Sequence, residues 1–184
     1  MADNGFLTTD TQQYGYEAIL SLGSNEGDRL AWINRACDAL AALSDTRLTA
    51  RSPVYETEPV GVPQRFSSQL YLNGVVIVET SLAPAAFSDA IHAIEAGYGR
   101  LRGDMPNQPR TLDIDIISID NLILDTPSLT LPHPRACSRR FVLQPLADLR
   151  PDYRLPGETK TVSDLLRTLP SRPCVSLYHG KAPV

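Results

Sequence analysis

Alternation of apolar and polar residues predicts a strand near the start of the chain and a helix directly after it. The segment YEAILSL, from Tyr16 to Leu22, has the two-residue period of a β-strand with one or both faces covered. A turn, GSNEGD, follows, and Asp28 is a suitable N-cap residue. The next apolar residues recur at the spacing of an amphipathic helix, at Leu30, Ile33, Cys37, Leu40 and Ala41.

The same patterns predict further strands and helices along the chain. Pro53 interrupts one strand, which should therefore be an edge or bulged strand, and a long loop of proline, glycine and polar residues separates it from the next. The predicted elements are a strand in TRLTARSPVYET, a loop in EPVGVPQRFSSQ, a strand in YLNGVVIVET, a helix in SLAPAAFSDAIHAIEAGYG and a strand in TLDIDIISID. The order β-α-β-β-α-β indicates a ferredoxin-like α+β core.

The C-terminal third is less regular. NLILDTPSLTLPHPRA is rich in proline and is predicted to be irregular, whereas RRFVLQPLADL should be helical in part. Thr161 is a suitable cap for a last short helix in TVSDLLRTL. The length of 184 residues suits a single domain, which we expect over residues 15–184, and the polar residues 1–14 are expected to form a mobile tail.

Composition narrows the classes of function. The net charge of −4 gives no overall attraction to nucleic acid or to an anionic membrane. No apolar run approaches the length of a membrane span, and three cysteines without metal-ligand spacing suit reduced thiols. We therefore expect a cytoplasmic protein that binds neither nucleic acid nor membrane. A monomer is a separate expectation.

Two carboxylates, Asp113 and Asp115, interrupt the apolar strand DIDII. Residues two apart in a strand project from one face, with Cα atoms roughly 6.5 to 7 Å apart. Such a pair can hold magnesium together with substrate phosphates. The alternative is that the strand is simply amphipathic, with one solvated face.

Arginine is concentrated around this strand. Six arginines and no lysine lie between residues 100 and 140, at Arg100, Arg102, Arg110, Arg135, Arg139 and Arg140. One planar guanidinium group can bind two phosphate oxygens at once. The six arginines therefore suit a polyphosphate that is coordinated to magnesium. Pairing with surface carboxylates is the alternative for any single arginine.

Three other residues are candidates for binding. His133 lies between two prolines that stiffen the backbone and aim its side chain, although a lone histidine is often structural. Tyr71 and Asn73 share one strand face, where an aromatic plane beside an amide suits a flat heterocycle. A half-buried strand can also carry this pair without any ligand.

With these residues assembled, the chain resembles the 6-hydroxymethyl-7,8-dihydropterin pyrophosphokinase family of folate-pathway enzymes. The likeness runs from about Tyr16 to Leu169 and includes PRTLDID with PH downstream, a specific combination. Its other segments are LGSNEGDR, YETEPVG, YLNGVV, IEAGYGRLR and LPHPRACSRRFVLQPL.

The resemblance implies transfer of pyrophosphate from ATP to the hydroxymethyl oxygen of the pterin, with release of AMP. It implies a three-layer fold with helices packed on an antiparallel sheet. It also implies that Asp113 and Asp115 hold two Mg²⁺ ions. The implied catalytic residues are these two acids with Arg100, Arg110, His133 and Arg139.

The resemblance further assigns residues to each substrate. The implied nucleotide contacts are Glu95, Arg100, Arg102, Arg110, Ile116, Thr130, His133 and Arg139. The implied pterin contacts are Thr57, Pro59, Val60, Gly61, Tyr71, Asn73, Asp113 and Phe141, with the heterocycle between Tyr71 and Phe141.

Two other functions share parts of this pattern. A palm-type nucleotidyltransferase also places D-x-D and two metals on a ferredoxin-like sheet, but it would release pyrophosphate. A βαββαβ module that binds RNA or a metabolite needs exposed aromatics and a basic surface, and this acidic chain with 7% aromatic residues predicts neither.

The loops over residues 58–70 and 100–109 are predicted to be mobile without ligands and to close when both substrates bind, because their composition offers few core contacts. Hydrogen exchange of the amides in these loops should slow in the presence of both substrates. Equal exchange with and without substrates would reject the prediction.

Overall fold

The computed structural model describes residues 14–99 and 110–180. Within these residues the main helices and strands follow the predicted order. The strands are β1 (Tyr16–Ser24), β2 (Thr46–Arg51), β3 (Tyr55–Thr57), β4 (Tyr71–Thr80), β5 (Asp113–Ile119), β6 (Leu124–Asp125), β7 (Thr130–Leu131) and β8 (Val175–Leu177). The helices are α1 (Arg29–Ala41), α2 (Pro84–Gly97), α3 (Arg140–Leu149) and α4 (Val162–Thr168).

The main sheet has six strands in the order β5-β1-β4-β3-β8, and β2 also pairs with β4. All of its pairings are antiparallel. Helix α1 connects β1 to β2, and α2 connects β4 to β5. This arrangement confirms the predicted ferredoxin-like α+β core.

Helices cover both faces of the sheet. On one face, Ile33 and Leu40 of α1 and Phe87 of α2 pack in a core with Leu20 and Val76 of the sheet. The opposite core joins α3 and α4 to the sheet through Val142, Leu143, Leu146, Val162, Leu165, Ile19, Val75, Ile77 and Ile117. The two apolar clusters give the three-layer architecture and leave few of the sheet's central side chains exposed.

Strand β5 divides its residues between these two faces. Ile114 and Ile116 enter the core formed with α1 and α2, whereas Ile117 enters the core formed with α3 and α4. Since side chains alternate along a strand, Asp113 and Asp115 lie on the same face as Ile117. The acids therefore face the layer that contains α3.

Three features of the fold refine the sequence analysis. The strand interrupted at Pro53 is two strands, β2 and β3, and β2 shows a register shift between Leu48 and Ala50. The segment predicted to be irregular contains the β6–β7 hairpin. Strand β8, which was not predicted, covers the outer edge of β3.

Two expectations about the chain as a whole stay predictions. Residues 1–13 of the predicted tail lie outside the described residues, and the single-domain organisation over residues 15–184 is not tested. In the parts of the chain that the structure describes, no helix is long and apolar enough to cross a membrane.

Candidate active site

The start of β5 lies beside β1, and the register brings polar and small residues together there. Ser21 is opposite Asp115, and Gly23 is opposite Asp113 on one side and Asn73 of β4 on the other. A β-carbon on residue 23 would lie 3.0 Å from Asn73 Oδ1 and 3.8 Å from Asp113 Cβ. The glycine therefore lets the amide and the carboxylate flank a common space.

This space is a cavity of about 250 Å³ on the α3 side of the sheet. Strands β1, β3, β4 and β5, the loop after β3 and the start of α3 all contribute to its wall. The lining residues are Ser21, Gly23, Thr57, Glu58, Val60, Gly61, Val62, Tyr71, Asn73, Arg110, Asp113, Asp115, Arg135, Ser138, Arg139 and Phe141.

Each of the two acids is paired with an arginine. Arg110 Nη2 lies 3.3 Å from Asp113 Oδ2, and Arg139 Nη1 donates to Asp115 Oδ2 at 3.1 Å. Burial lowers the pKa of Arg139, and the Asp115 carboxylate partly opposes this shift. The guanidinium groups thus offset carboxylate charges that would be costly in a half-buried cavity.

His133 lies behind Asp115 rather than in the cavity wall. Its amide donates to Ile117 O at 2.8 Å, and its Nδ1 accepts from the Arg135 amide at 3.1 Å. Its Nε2 is 3.7 Å from Asp115 Oδ2, and burial lowers the pKa of His133 despite that carboxylate. A neutral imidazole whose Nδ1 accepts a hydrogen bond carries its proton on Nε2, toward Asp115.

The cavity wall also combines aromatic rings with an amide. Asn73 Nδ2 donates to Thr57 Oγ1 at 2.6 Å, which fixes the amide between β3 and β4. Tyr71 and Phe141 both line the cavity, and the Arg139 guanidinium lies 5.3 Å from the Phe141 ring. Burial raises the pKa of Tyr71. These side chains can receive a flat heterocycle with polar edges.

Several predicted site residues lie elsewhere. Pro59 does not line the cavity, although its neighbours Glu58 and Val60 do. Glu95 is buried and accepts from the Ile114 amide at 2.8 Å, so it joins α2 to β5. Ile116 lies in the core beside α1 and α2, and Thr130 lies in β7. The predicted nucleotide contacts of the last three residues stay predictions.

The predicted closing loop over residues 100–109 lies outside the described residues, and with it Arg100 and Arg102. Their assignments to the nucleotide therefore also stay predictions.

Sequence reasoning did not assign several residues of the wall to the site. They are Ser21, Gly23, Glu58, Val62 and Ser138, whereas Arg135, which also lines the wall, belongs to the arginine set expected to suit a polyphosphate. Ser21 and Gly23 had a signal, since small and polar residues at two-residue spacing interrupt an otherwise apolar strand. The others have no comparable signal, because they lie in loops and turns whose position depends on the tertiary fold.

The carboxylate pair suits a magnesium site that is completed by substrate. Among the described residues no group of three or more histidine, cysteine, aspartate or glutamate side chains could hold a metal ion. Magnesium usually keeps several waters and takes only one or two protein carboxylates together with substrate phosphates. Asp113 and Asp115, both in the cavity wall, fit that pattern.

Comparison with known families identifies the chain. Residues 19–151 match the model of the 7,8-dihydro-6-hydroxymethylpterin-pyrophosphokinase (HPPK) family. The chain belongs to this family. The match confirms the resemblance drawn from PRTLDID and the downstream PH, and it makes the chain an enzyme of the pyrophosphokinase class.

Curated relatives agree with this assignment. A 2-amino-4-hydroxy-6-hydroxymethyldihydropteridine pyrophosphokinase of Pseudomonas aeruginosa is 42% identical over 151 residues, which are 82% of this chain and 90% of the relative. The enzyme of the same name from Methylorubrum extorquens is 38% identical over 77% of this chain and 87% of its own. The folic acid synthesis protein fol1 of Schizosaccharomyces pombe is 36% identical over 84% of this chain, which spans only 21% of that protein.

Solved structures agree on the fold. A crystal structure of HPPK-DHPS in complex with substrates superimposes with a TM-score of 0.66 at 15% identity. The match covers 85% of this chain and 43% of that one. At this identity the likeness supports the fold alone.

Gly23→Ala tests the packing beside Asn73 and Asp113 in the cavity wall. Because the added methyl would meet Asn73 Oδ1 at 3.0 Å, the amide must shift and its hydrogen bond to Thr57 is strained. We expect the free energy of unfolding, measured in urea, to fall by about 1 to 3 kcal/mol. Gly15→Ala, which adds a methyl with no atom within 4 Å, is the matched control and should not destabilise. Equal stability of Gly23→Ala and the wild type would contradict this interpretation.

Proposed function

We propose that the chain transfers the pyrophosphoryl group of ATP to the hydroxymethyl oxygen of 6-hydroxymethyl-7,8-dihydropterin and releases AMP, as a step of folate biosynthesis. Family membership supports the reaction class. The observation that carries the proposal is one cavity lined by the two carboxylates of β5, three arginines, two aromatic rings and the Asn73 amide. A triphosphate and a flat, polar-edged heterocycle need these two chemistries side by side.

Asp113 and Asp115 are the residues that would hold magnesium, two ions in our proposal. Bound there, magnesium would neutralise phosphate charge and lower the pKa of a coordinated hydroxyl. Both acids lie in the cavity wall, on adjacent positions of one strand face.

Arg110 and Arg139 would bind the phosphates. Each now contacts a carboxylate oxygen, at 3.3 and 3.1 Å. When the acids bind cations, the guanidinium groups can exchange a carboxylate partner for a phosphate partner without a net loss of ion pairing. They would then offset the charge that develops as the hydroxyl attacks in line at the β-phosphorus.

The pterin would lie between Tyr71 and Phe141. Asn73 donates to Thr57 through Nδ2, so its Oδ1 can accept from an amino group on the heterocycle. Thr57, Pro59, Val60 and Gly61 would contact the remaining edge, with Asp113 of the same cavity wall close by.

The rest of the nucleotide would extend from the phosphates along the edge strand β5. We propose that Glu95, Arg100, Arg102, Ile116, Thr130 and His133 contribute to this part of the site. The position of His133 supports the proposal. Its Nε2 is 3.7 Å from Asp115 Oδ2, and its amide donates a hydrogen bond to Ile117 O of β5.

Identification of the nucleotide product tests the proposed reaction. The protein is incubated with ATP, Mg²⁺ and 6-hydroxymethyl-7,8-dihydropterin, and the products are separated by chromatography and weighed by mass spectrometry. AMP and a pyrophosphorylated pterin are expected. Inorganic pyrophosphate with a nucleotidylated pterin would instead support a palm-type nucleotidyltransferase.

Replacement of the acids separates catalysis from pterin binding. Asp113→Ala or Asp115→Ala removes a metal ligand, so we expect turnover to fall by at least about 100-fold while the Kd for the pterin rises much less. Asp89→Ala, which removes an exposed carboxylate of α2, is the control and should leave both values unchanged. Comparable losses of turnover and of pterin affinity would count against the assigned role.

A further inference from the structure

The C-terminal segment, residues 170–178, lies against the rim of the substrate cavity. The family match ends at residue 151, so α4 and this segment lie beyond it. Strand β8 pairs with β3, with Val175 opposite Thr57. The pairing continues one residue further, because the Glu58 amide donates to Cys174 O at 3.1 Å.

The Glu58 side chain adds two contacts to the same segment. Its Oε1 accepts from Arg172 Nη1 at 3.0 Å, and its Oε2 accepts from the Cys174 amide at 2.8 Å. Both carboxylate oxygens of Glu58 therefore bind the C-terminal segment. We call these contacts of Glu58 with Arg172 and Cys174 the rim latch.

The rim latch holds the start of the loop that forms one wall of the cavity. Glu58, Val60, Gly61 and Val62 all line the cavity, and Gly61 has a φ of +64°, which favours glycine. Val60 is 51% exposed, so packing in the core does not fix this stretch. The polar contacts of Glu58 therefore contribute to the positioning of residues 59–62.

The C-terminal side of the rim latch is itself tied to the start of α3. Arg140 donates to the carbonyl groups of Leu166, Leu169 and Pro170. Arg140 lies between Arg139 and Phe141, which both line the cavity. The segment after α4 is thus anchored on α3 at one end and on the rim at the other.

We propose that Glu58 is a positioning residue for the pterin: through Arg172 and the Cys174 amide it holds the backbone of residues 59–62 in the shape that receives the heterocycle. The inference rests on the proposed function for its substrate. The Arg172 side chain is 82% exposed, so its ion pair is the weaker contact, and the hydrogen bond from the Cys174 amide is the stronger one.

The test compares Glu58→Ala, Arg172→Ala and the double variant in steady-state turnover. Glu58→Ala should raise the KM for the pterin by about 3- to 10-fold, with kcat and the KM for ATP within about twofold of the wild type. Arg172→Ala should raise the pterin KM by less. Because both changes break one set of contacts, the double variant should match Glu58→Ala alone.

Two further variants distinguish the proposed positioning of residues 59–62 from a nonspecific loss of structure in this region. Glu58→Gln keeps an acceptor for the Cys174 amide. Its KM for the pterin should therefore lie between the values of the wild type and of Glu58→Ala. Arg167→Ala removes another exposed arginine of the same region, paired with Asp164 at 3.2 Å, and should behave as the wild type. An increase in pterin KM for Arg167→Ala equal to that of Arg172→Ala would overturn the proposal.

A readout that needs no turnover completes the test. Hydrogen exchange of the amides of residues 60–62 in the unliganded protein should be faster in Glu58→Ala than in the wild type. Unchanged exchange, an unchanged pterin KM, or a fall in kcat as large as that in kcat/KM would each overturn the proposal. If the wild type fails to release AMP, the proposed function fails, and the exchange comparison still decides whether the rim latch positions the loop.

Discussion

The charge of two carboxylates on one face of β5 is the constraint on which the site depends. Asp113 and Asp115 have side chains 18% and 32% exposed, in a strand whose other face is packed in the core. Two negative charges so placed need cationic partners. Arg110 before β5 and Arg139 before α3 supply them, so the strand and the α3 layer are linked electrostatically as well as by packing.

The sequence predicts the parts of this site that depend on local periodicity. The two-residue spacing placed Asp113 with Asp115 and Tyr71 with Asn73 on common strand faces, and all four residues line one cavity. The features of the site that the sequence could not predict depend on pairing between strands that are distant in the chain. The opposition of Gly23 to both Asn73 and Asp113 follows from strand register, and β8 is too short to stand out by pattern.

The cavity combines walls of different rigidity. Its floor consists of β1, β4 and β5, which lie at the centre of two apolar cores. The loop over residues 58–70, by contrast, is held by polar contacts at its ends. Glu58 accepts from the Cys174 amide, and Arg29 donates a hydrogen bond to Leu70 O. A rigid floor suits the alignment of reacting groups, and a less tightly packed rim suits entry of substrate.

The dependence of nucleotide binding on magnesium tests the central claim most directly. Isothermal titration with an ATP analogue that cannot be cleaved would be run with and without Mg²⁺. If Asp113 and Asp115 hold the cations that carry the triphosphate, affinity should be at least about tenfold higher with Mg²⁺, because the acids repel the bare nucleotide. Equal affinity in the two titrations would contradict the account, since the carboxylates would then play no part in holding the phosphates.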